Sequence, residues 1–288
     1  MVNTPNPKPG AGQTPTLADL RTEIDRIDRA MHELLIERSA IIDTLISVKK
    51  SDETGSAFRP AREASMMRAL VERHRGILPL DTVESIWRVI IATFTYVQRA
   101  YSVHVDLSSG DALVRDSVRF HFGYTVPVMQ HVGASAVVEA VASSRGDLGL
   151  VRAEAVAGGK AWWRELEGEG KPKIIARLPF VERGDHPAGL PLFVISKPLP
   201  ADVAVNEVEV WSVHVAGWNT SVSRALAPLA EVIAQPDSGF DSAALLISVP
   251  QSRKIDQILA SLKEAGASVR ASALVGGHAT RYTVPPKA

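Results

Sequence analysis

Between Leu17 and Val48 apolar residues recur every three or four positions, at Leu17, Leu20, Ile24, Ile27, Met31, Leu34, Ile41, Leu45 and Val48. Only an α-helix turns that rhythm into one continuous stripe. The spacing predicts a helix from Leu17 to about Lys50, with Thr16 as N-cap and Asp19 in an acidic first turn. Arg38 stands where the rhythm asks for another apolar residue. A guanidinium in that slot has to be desolvated and then answered, by a carboxylate of the protein or by a ligand, because an unpaired buried cation costs several kcal/mol.

Lys49 follows Arg38 by eleven residues, which at about 100° each return to nearly the same azimuth roughly 16 Å along the axis. Two cations therefore share one face. Arg21 precedes Arg38 by seventeen residues, roughly 26 Å away and about 100° round the helix, so one straight helix cannot bring both to the same small ligand. An antiparallel partner helix can supply it, and a dimer with composite sites is the economical reading. A middle helix, about Ala61 to Arg75, opens with Arg62 and Glu63 just after Pro60, which suits a first turn. A third helix ends at about Ala100 and carries Val83, Trp87, Ile90, Phe94, Val97 and Tyr101 on one stripe, with Gln98 flanking it. Three helices of such unequal length do not enclose a good core singly, which again favours two intertwined chains.

The strings LRTEIDRIDRAMHELLIER, VKK, PAREASMM and IWRVIIATFTYVQ, in that order, resemble the all-helical chorismate mutase domain. The resemblance implies an all-α, three-helix, intertwined homodimer over residues 16–102, with shared active sites, chorismate as the small-molecule substrate, and neither cofactor nor metal. Carried over position by position, it makes Arg38, Lys49, Glu63 and Gln98 catalytic and Arg21, Arg62, Arg59 and Phe94 substrate-binding. Two of these depart from the family, which commonly has Asp where this chain has Arg59 and Ser where it has Phe94; both changes reshape the pocket near the substrate hydroxyl or a carboxylate.

The rearrangement of chorismate to prephenate is pericyclic and needs no nucleophile or proton transfer. An enzyme helps it by holding the compact reactive conformer and by placing donors where the breaking ether oxygen gains charge. By the resemblance, Arg38 and the partner's Arg21 clamp the two carboxylates, Lys49 and Gln98 face the ether oxygen, Glu63 accepts from the substrate hydroxyl, and Arg62 adds positive potential or orients Glu63. Taken singly, each residue has a plainer explanation: a salt-bridged or snorkelling Arg38, an interhelical hydrogen bond for Gln98, a solvated helix start for Arg62 and Glu63. Their combination in order favours a site.

Composition narrows the rest. Thirty-two basic and 32 acidic residues balance, so no basic field points to nucleic acid or an anionic membrane. Zero cysteines exclude disulfides, thiolate metal sites and a cysteine nucleophile. Residues 1–15, rich in Pro, Gly and Thr, read as a disordered arm rather than a secretory signal, and no apolar run reaches membrane-spanning length. A soluble, cytoplasmic protein of two or three domains is expected.

After residue 102 the texture changes. Residues 103–205 alternate strands and helices, which argues an α/β region with a largely parallel sheet. This part weakly resembles the prephenate dehydratase domain around FGYTVPVMQHV and VVEAVASSRGDLGLV, but that family's Pro-x-Glu-Asn-Ser is here Arg152 to Val156, with only Glu154 agreeing. The Thr-Arg-Phe that the family carries later is replaced at about Leu190 to Leu192, so the resemblance implies a retained fold without dehydration. Residues 206–288 read strand, helix, strand, helix, strand, a small α+β module of ferredoxin or ACT-like type, with Asn219 and Ser252 as N-caps and Gly266 as a C-terminal stop. NTSVSRALAPLAEVIAQ is taken as its first helix, and Gly276 and Gly277 as a tight turn between strands. Trp162 and Trp163 are expected to pack on the sheet, the eight histidines show no metal-ligand spacing, and Asp185 with His186 carries no signal. Two alternatives stay open: a regulatory protein whose helices only dimerise while the tail binds an aromatic metabolite, and, more weakly, a bifunctional mutase and dehydratase.

Overall fold

The computed structural model describes residues 14–48, 57–108, 110, 112–154, 160–234 and 242–284. The chain divides into two compact units, Met1–Asp52 and Glu53–Ala288. Among its described residues the first holds one helix, α1 (Leu17–Val48). Its start is fixed as the sequence suggests: the Thr16 amide and hydroxyl both donate to Asp19 Oδ2, at 2.9 and 2.6 Å, and the Asp19 amide donates back to Thr16 Oγ1 at 3.2 Å. No residue of α1 is buried. Its apolar stripe lies open, with Leu17 64%, Leu34 62% and Ile41 61% exposed. Residues 1–13 of the expected arm, and Lys49, fall outside the described residues.

The second unit opens with α2 (Pro60–Arg73) and α3 (Leu80–Gln98). Then come β1 (Val103–Asp106), α4 (Ala112–Phe122), β2 (Val128–His131), α5 (Ala134–Ser143) and β3 (Leu148–Arg152). A 3-10 turn at Trp162–Leu166 leads into β4 (Lys173–Leu178), β5 (Val181–Glu182) and β6 (Leu192–Ser196). The final stretch is β7 (Val208–Ala216), α6 (Thr220–Leu226), β8 (Glu231–Ala234), β9 (Ser242–Pro250), α7 (Ile255–Glu264), β10 (Ser268–His278) and β11 (Tyr282–Thr283). Among the described residues nine strands form one sheet in the order β2-β1-β3-β6-β4-β10-β7-β9-β8, while β5 and β11 pair separately.

The sheet is mixed, which corrects the expectation of a largely parallel one. β2-β1-β3 run parallel side by side and β10 meets β4 in parallel, but β6 is antiparallel to both β3 and β4, and β10-β7-β9-β8 are antiparallel throughout. The tight turn expected at Gly276 and Gly277 is instead strand: both lie in β10, and Gly276 pairs with Ile174 of β4 in the contact that joins the two halves of the sheet. The expected first helix of the tail stops at Leu226 and gives way to β8. The reason is Pro228, which cannot continue a helix. Asn219 does cap α6, its Oδ1 accepting from the Ser221 and Val222 amides. At α7 the N-cap is Lys254 rather than Ser252.

Alternation along the central strands sends Leu148, Leu150, Leu192 and Val194 into one core with α2, α3 and α4, and Val151, Phe193 and Ile195 into a second core with α5 and the two tryptophans. Trp163 is fully buried there, so the pair packs on the sheet as expected. Helices α6 and α7 cover β7 and β9 in a third core.

His278 closes β10 at 3% exposure. Its Nδ1–H donates to Ala279 O at 2.8 Å, so a second proton would sit on a buried Nε2 that has no acceptor among the described residues. Burial, helped by the charges of Arg177 and Arg281, lowers its pKa from 6.5 to about 4. The unfolded chain takes up this proton near pH 6.5 and the folded chain does not until about pH 4, so stability present at neutral pH is lost as pH falls through that window. The group accounts for about 3 kcal/mol. Urea melts at pH 7, 5.5 and 4 should show a falling midpoint, and His278→Leu should flatten that slope.

Candidate active site

Pro60 starts α2, and Arg59 is its N-cap, without a side-chain cap bond. One turn in, Glu63 points inward at 4% exposure, with Oε2 2.6 Å from Arg88 Nη1 of α3. Arg88 is fully buried. Its Nη2 donates to His121 O at 3.3 Å, and its guanidinium carbon lies 5.1 Å from the Phe180 ring centroid. Burying two opposite charges costs more than their attraction returns unless further contacts support them; here α4 supplies the carbonyl and the segment before β5 supplies the ring. Burial pushes the Glu63 carboxyl above its ordinary value, with Arg88 pulling the other way. Tyr101 is also raised, by burial and by the charge of Glu63, and stays protonated.

A second buried carboxylate lies on the same stripe of α3. Glu84, at 0% exposure, accepts from Arg183 Nη1 at 3.1 Å and from His186 Nε2 at 3.2 Å. The Ala188 amide donates to His186 Nδ1 at 2.9 Å, which places the His186 proton on Nε2. His121 stacks on His186 at 6.3 Å and is held neutral, far below the usual histidine range, by burial and by Arg88. The segment around Asp185 and His186 thus carries structure that the sequence did not signal: His186 is buried against Glu84, while Asp185 is exposed and binds Arg183 Nε at 3.3 Å.

The deeply buried residues of α3 are Glu84, Arg88, Ile91, Ala92 and Thr95. They lie beside the apolar stripe that dominates the sequence, and that stripe is only partly covered: Val97 is 52% exposed, and neighbouring Ile86 45%. Gln98 is half-buried and its Nε2 donates to Phe94 O at 3.1 Å, so its amide is answered within its own helix. Phe94 and Arg59 are half-buried and Arg62 is exposed. The structure therefore brings Arg59, Arg62 and Glu63 together at the start of α2, and Phe94 with Gln98 near the end of α3. Arg21 and a half-buried Arg38 are on α1, in the other unit, and Lys49 lies outside the described residues. Arg88 was missed because its partner is 25 residues away in sequence.

Two further clusters come from pairings the histidine spacing did not reveal. His104 Nδ1 lies 2.8 Å from His131 Nε2, and His104 Nε2 lies 3.1 Å from Asp147. Glu167 Oε1 accepts from Ser212 Oγ at 2.7 Å and from His214 Nε2 at 3.0 Å. The serine proton is committed to the carboxylate rather than to the imidazole, and Ser212 is fully buried, so this is not the order of a nucleophilic triad. Among the described residues no group of three or more His, Cys, Asp or Glu could hold a metal ion, and no helix is long and apolar enough to cross a membrane.

The curated bifunctional chorismate mutase/prephenate dehydratase of Neisseria gonorrhoeae is 27% identical over 109 residues, 38% of this chain and 29% of that protein. The chain therefore spans less than a third of that relative's length. Among solved structures, the fold is similar to prephenate dehydratase from Streptococcus mutans (13% identity, TM-score 0.39, 64% of this chain and 100% of that one). A second is GqqA, described as a novel type of quorum quenching acylases (14% identity, TM-score 0.40, 62% of this chain and 95% of that one). The chorismate mutase type II family matches residues 20–99, the stretch that spans α1, α2 and α3, and this chain thus carries a type II chorismate mutase domain ahead of its mixed α/β region.

Proposed function

We propose that this chain is a homodimeric, cytoplasmic chorismate mutase that rearranges chorismate to prephenate in aromatic amino acid biosynthesis. The observation that carries the reading is the family match over residues 20–99, within which Arg21, Arg38, Lys49, Arg62, Glu63 and Gln98 stand in the family's order. Arg38 and the partner's Arg21 bind the two carboxylates, for which guanidinium offers bidentate geometry. Lys49 and Gln98 stabilise charge on the ether oxygen. Glu63 accepts from the substrate hydroxyl, Arg62 adds positive potential beside it, and Arg59 and Phe94 shape the wall. The uncovered stripes of α1 and α3 support a second chain as their cover, since monomers rarely leave such apolar faces open.

Purified protein incubated with chorismate should yield prephenate. Phenylpyruvate formed without acid treatment would instead establish the bifunctional reading that the name of the Neisseria relative suggests. Chorismate left unchanged would favour the regulatory reading, for which the engagement of Glu63 by Arg88 speaks. The rate should fall on the acid side, beginning above the ordinary carboxylate range, because burial raises Glu63 and protonation removes its acceptor character. It should not fall through loss of the Gln98 donor, which is neutral at every pH.

A further inference from the structure

The mutase reading leaves unexplained why the carboxylate assigned to the substrate is tied to a fully buried arginine, and why that arginine is held by the region that follows the mutase helices. The Glu63 carboxylate accepts from Arg88 Nη1 through Oε2 at 2.6 Å, and a backbone hydrogen bond from Arg59, the N-cap of α2, also favours its ionised form. The groups facing this pair are Tyr101, kept protonated by burial, and His121, kept neutral. Among the described residues Arg88 is the cation whose charge acts on Glu63. Its own position is set by His121 O of α4 and by the Phe180 ring ahead of β5. One turn earlier on α3, Arg183 and His186 grip Glu84 from the segment after β5. Two anchors four residues apart on one helix fix both its rotation and its height against the sheet.

We propose that Arg88 is a positioning residue for Glu63, and that the α/β region, through His121, Phe180, Arg183 and His186, is the scaffold that holds this half of the mutase site in register. The proposal rests on the mutase reading. It makes the second half of the chain a requirement for shaping the site rather than a separable passenger, and it gives a direct mechanical route by which anything bound to the α/β region alters mutase turnover.

The test is turnover of chorismate against pH by the full-length wild type and by Arg88→Gln, Arg88→Lys and Phe180→Leu. Removing the cation should lower kcat about 100-fold with a smaller change in KM, and should move the acid limb of the profile up by about one pH unit. Arg88→Lys keeps the charge without the prong to His121 O and should fall between. Phe180→Leu keeps the site apolar but removes the ring beneath the guanidinium, so it should lower kcat several-fold and shift the limb in the same direction. That last variant carries the test if Arg88→Gln does not fold, because loss of packing alone would not move a mutase pH profile. A folded Arg88→Gln, or failing that Phe180→Leu, with wild-type kcat and an unmoved limb overturns the proposal. Wild-type protein inert on chorismate overturns the mutase reading together with it, and the same assay tells the two failures apart.

Discussion

On the proposed mutase reading, Arg38→Ala should lower kcat/KM for chorismate by about two to three orders of magnitude, because a guanidinium clamping a carboxylate of the compact conformer would act on the transition state as well as on binding. Arg21→Ala should cost as much, although Arg21 lies roughly 26 Å from Arg38 along the same helix. That equality would follow from the proposed composite sites, in which each Arg38 would work beside the partner's Arg21. The arrangement makes a sharper demand than either loss alone. When the two inactive variants are mixed, unfolded and refolded together, half of the dimers are mixed, and in each of those one site carries both substitutions while the other carries neither. About a quarter of wild-type activity should return, as two-fold symmetry requires. Recovery of nothing would place both arginines in a single chain's site or outside any site, and an unchanged rate in Arg38→Ala would remove the clamp from the mechanism.

The helical part of this protein was legible because a three-four rhythm sustained from Leu17 to Val48 has one structural solution, and because Thr16 and Asp19 announce its start. The candidate site was legible only as a set of spaced strings. Nothing in the periodicity of α3 marks Arg88: with Glu84 four residues earlier it reads as an exposed ion pair along a helix. In the fold the two do not meet, since Glu84 turns to residues 99 and 102 positions away and Arg88 to one 25 positions away. Long-range pairing of this kind leaves no local trace. The end of α6 was different, because Pro228 was in plain view and its effect on helix continuation is local. The two glycines of β10 were read as a turn for the same reason that turns are usually glycine-rich, and only the neighbouring strand reveals the other use of a missing side chain.

That neighbouring strand makes Gly276→Ala the most damaging single substitution expected outside the site. A Cβ at this position would lie 2.1 Å from Ile174 O and 2.5 Å from Ile174 N, with φ at +145°, where L side chains are strained. The obstacle is backbone of β4, so no rotamer change relieves it. Strain of about 1–3 kcal/mol and overpacking of similar size together approach about 4 kcal/mol. For a unit of this size that is a fall in Tm of about 10 °C. Gly184→Ala is the control, since nothing lies within 4 Å of its added Cβ. Pairing of Gly276 with Ile174 is the contact through which β4 meets β10, so the methyl group does more than loosen a strand. It pries the β2-β1-β3-β6-β4 half of the sheet from the β10-β7-β9-β8 half, and the melt should broaden or split as the two halves lose their common register. A Gly276→Ala variant melting within about 2 °C of wild type, as a single transition, would mean that the two half-sheets are not joined at this residue.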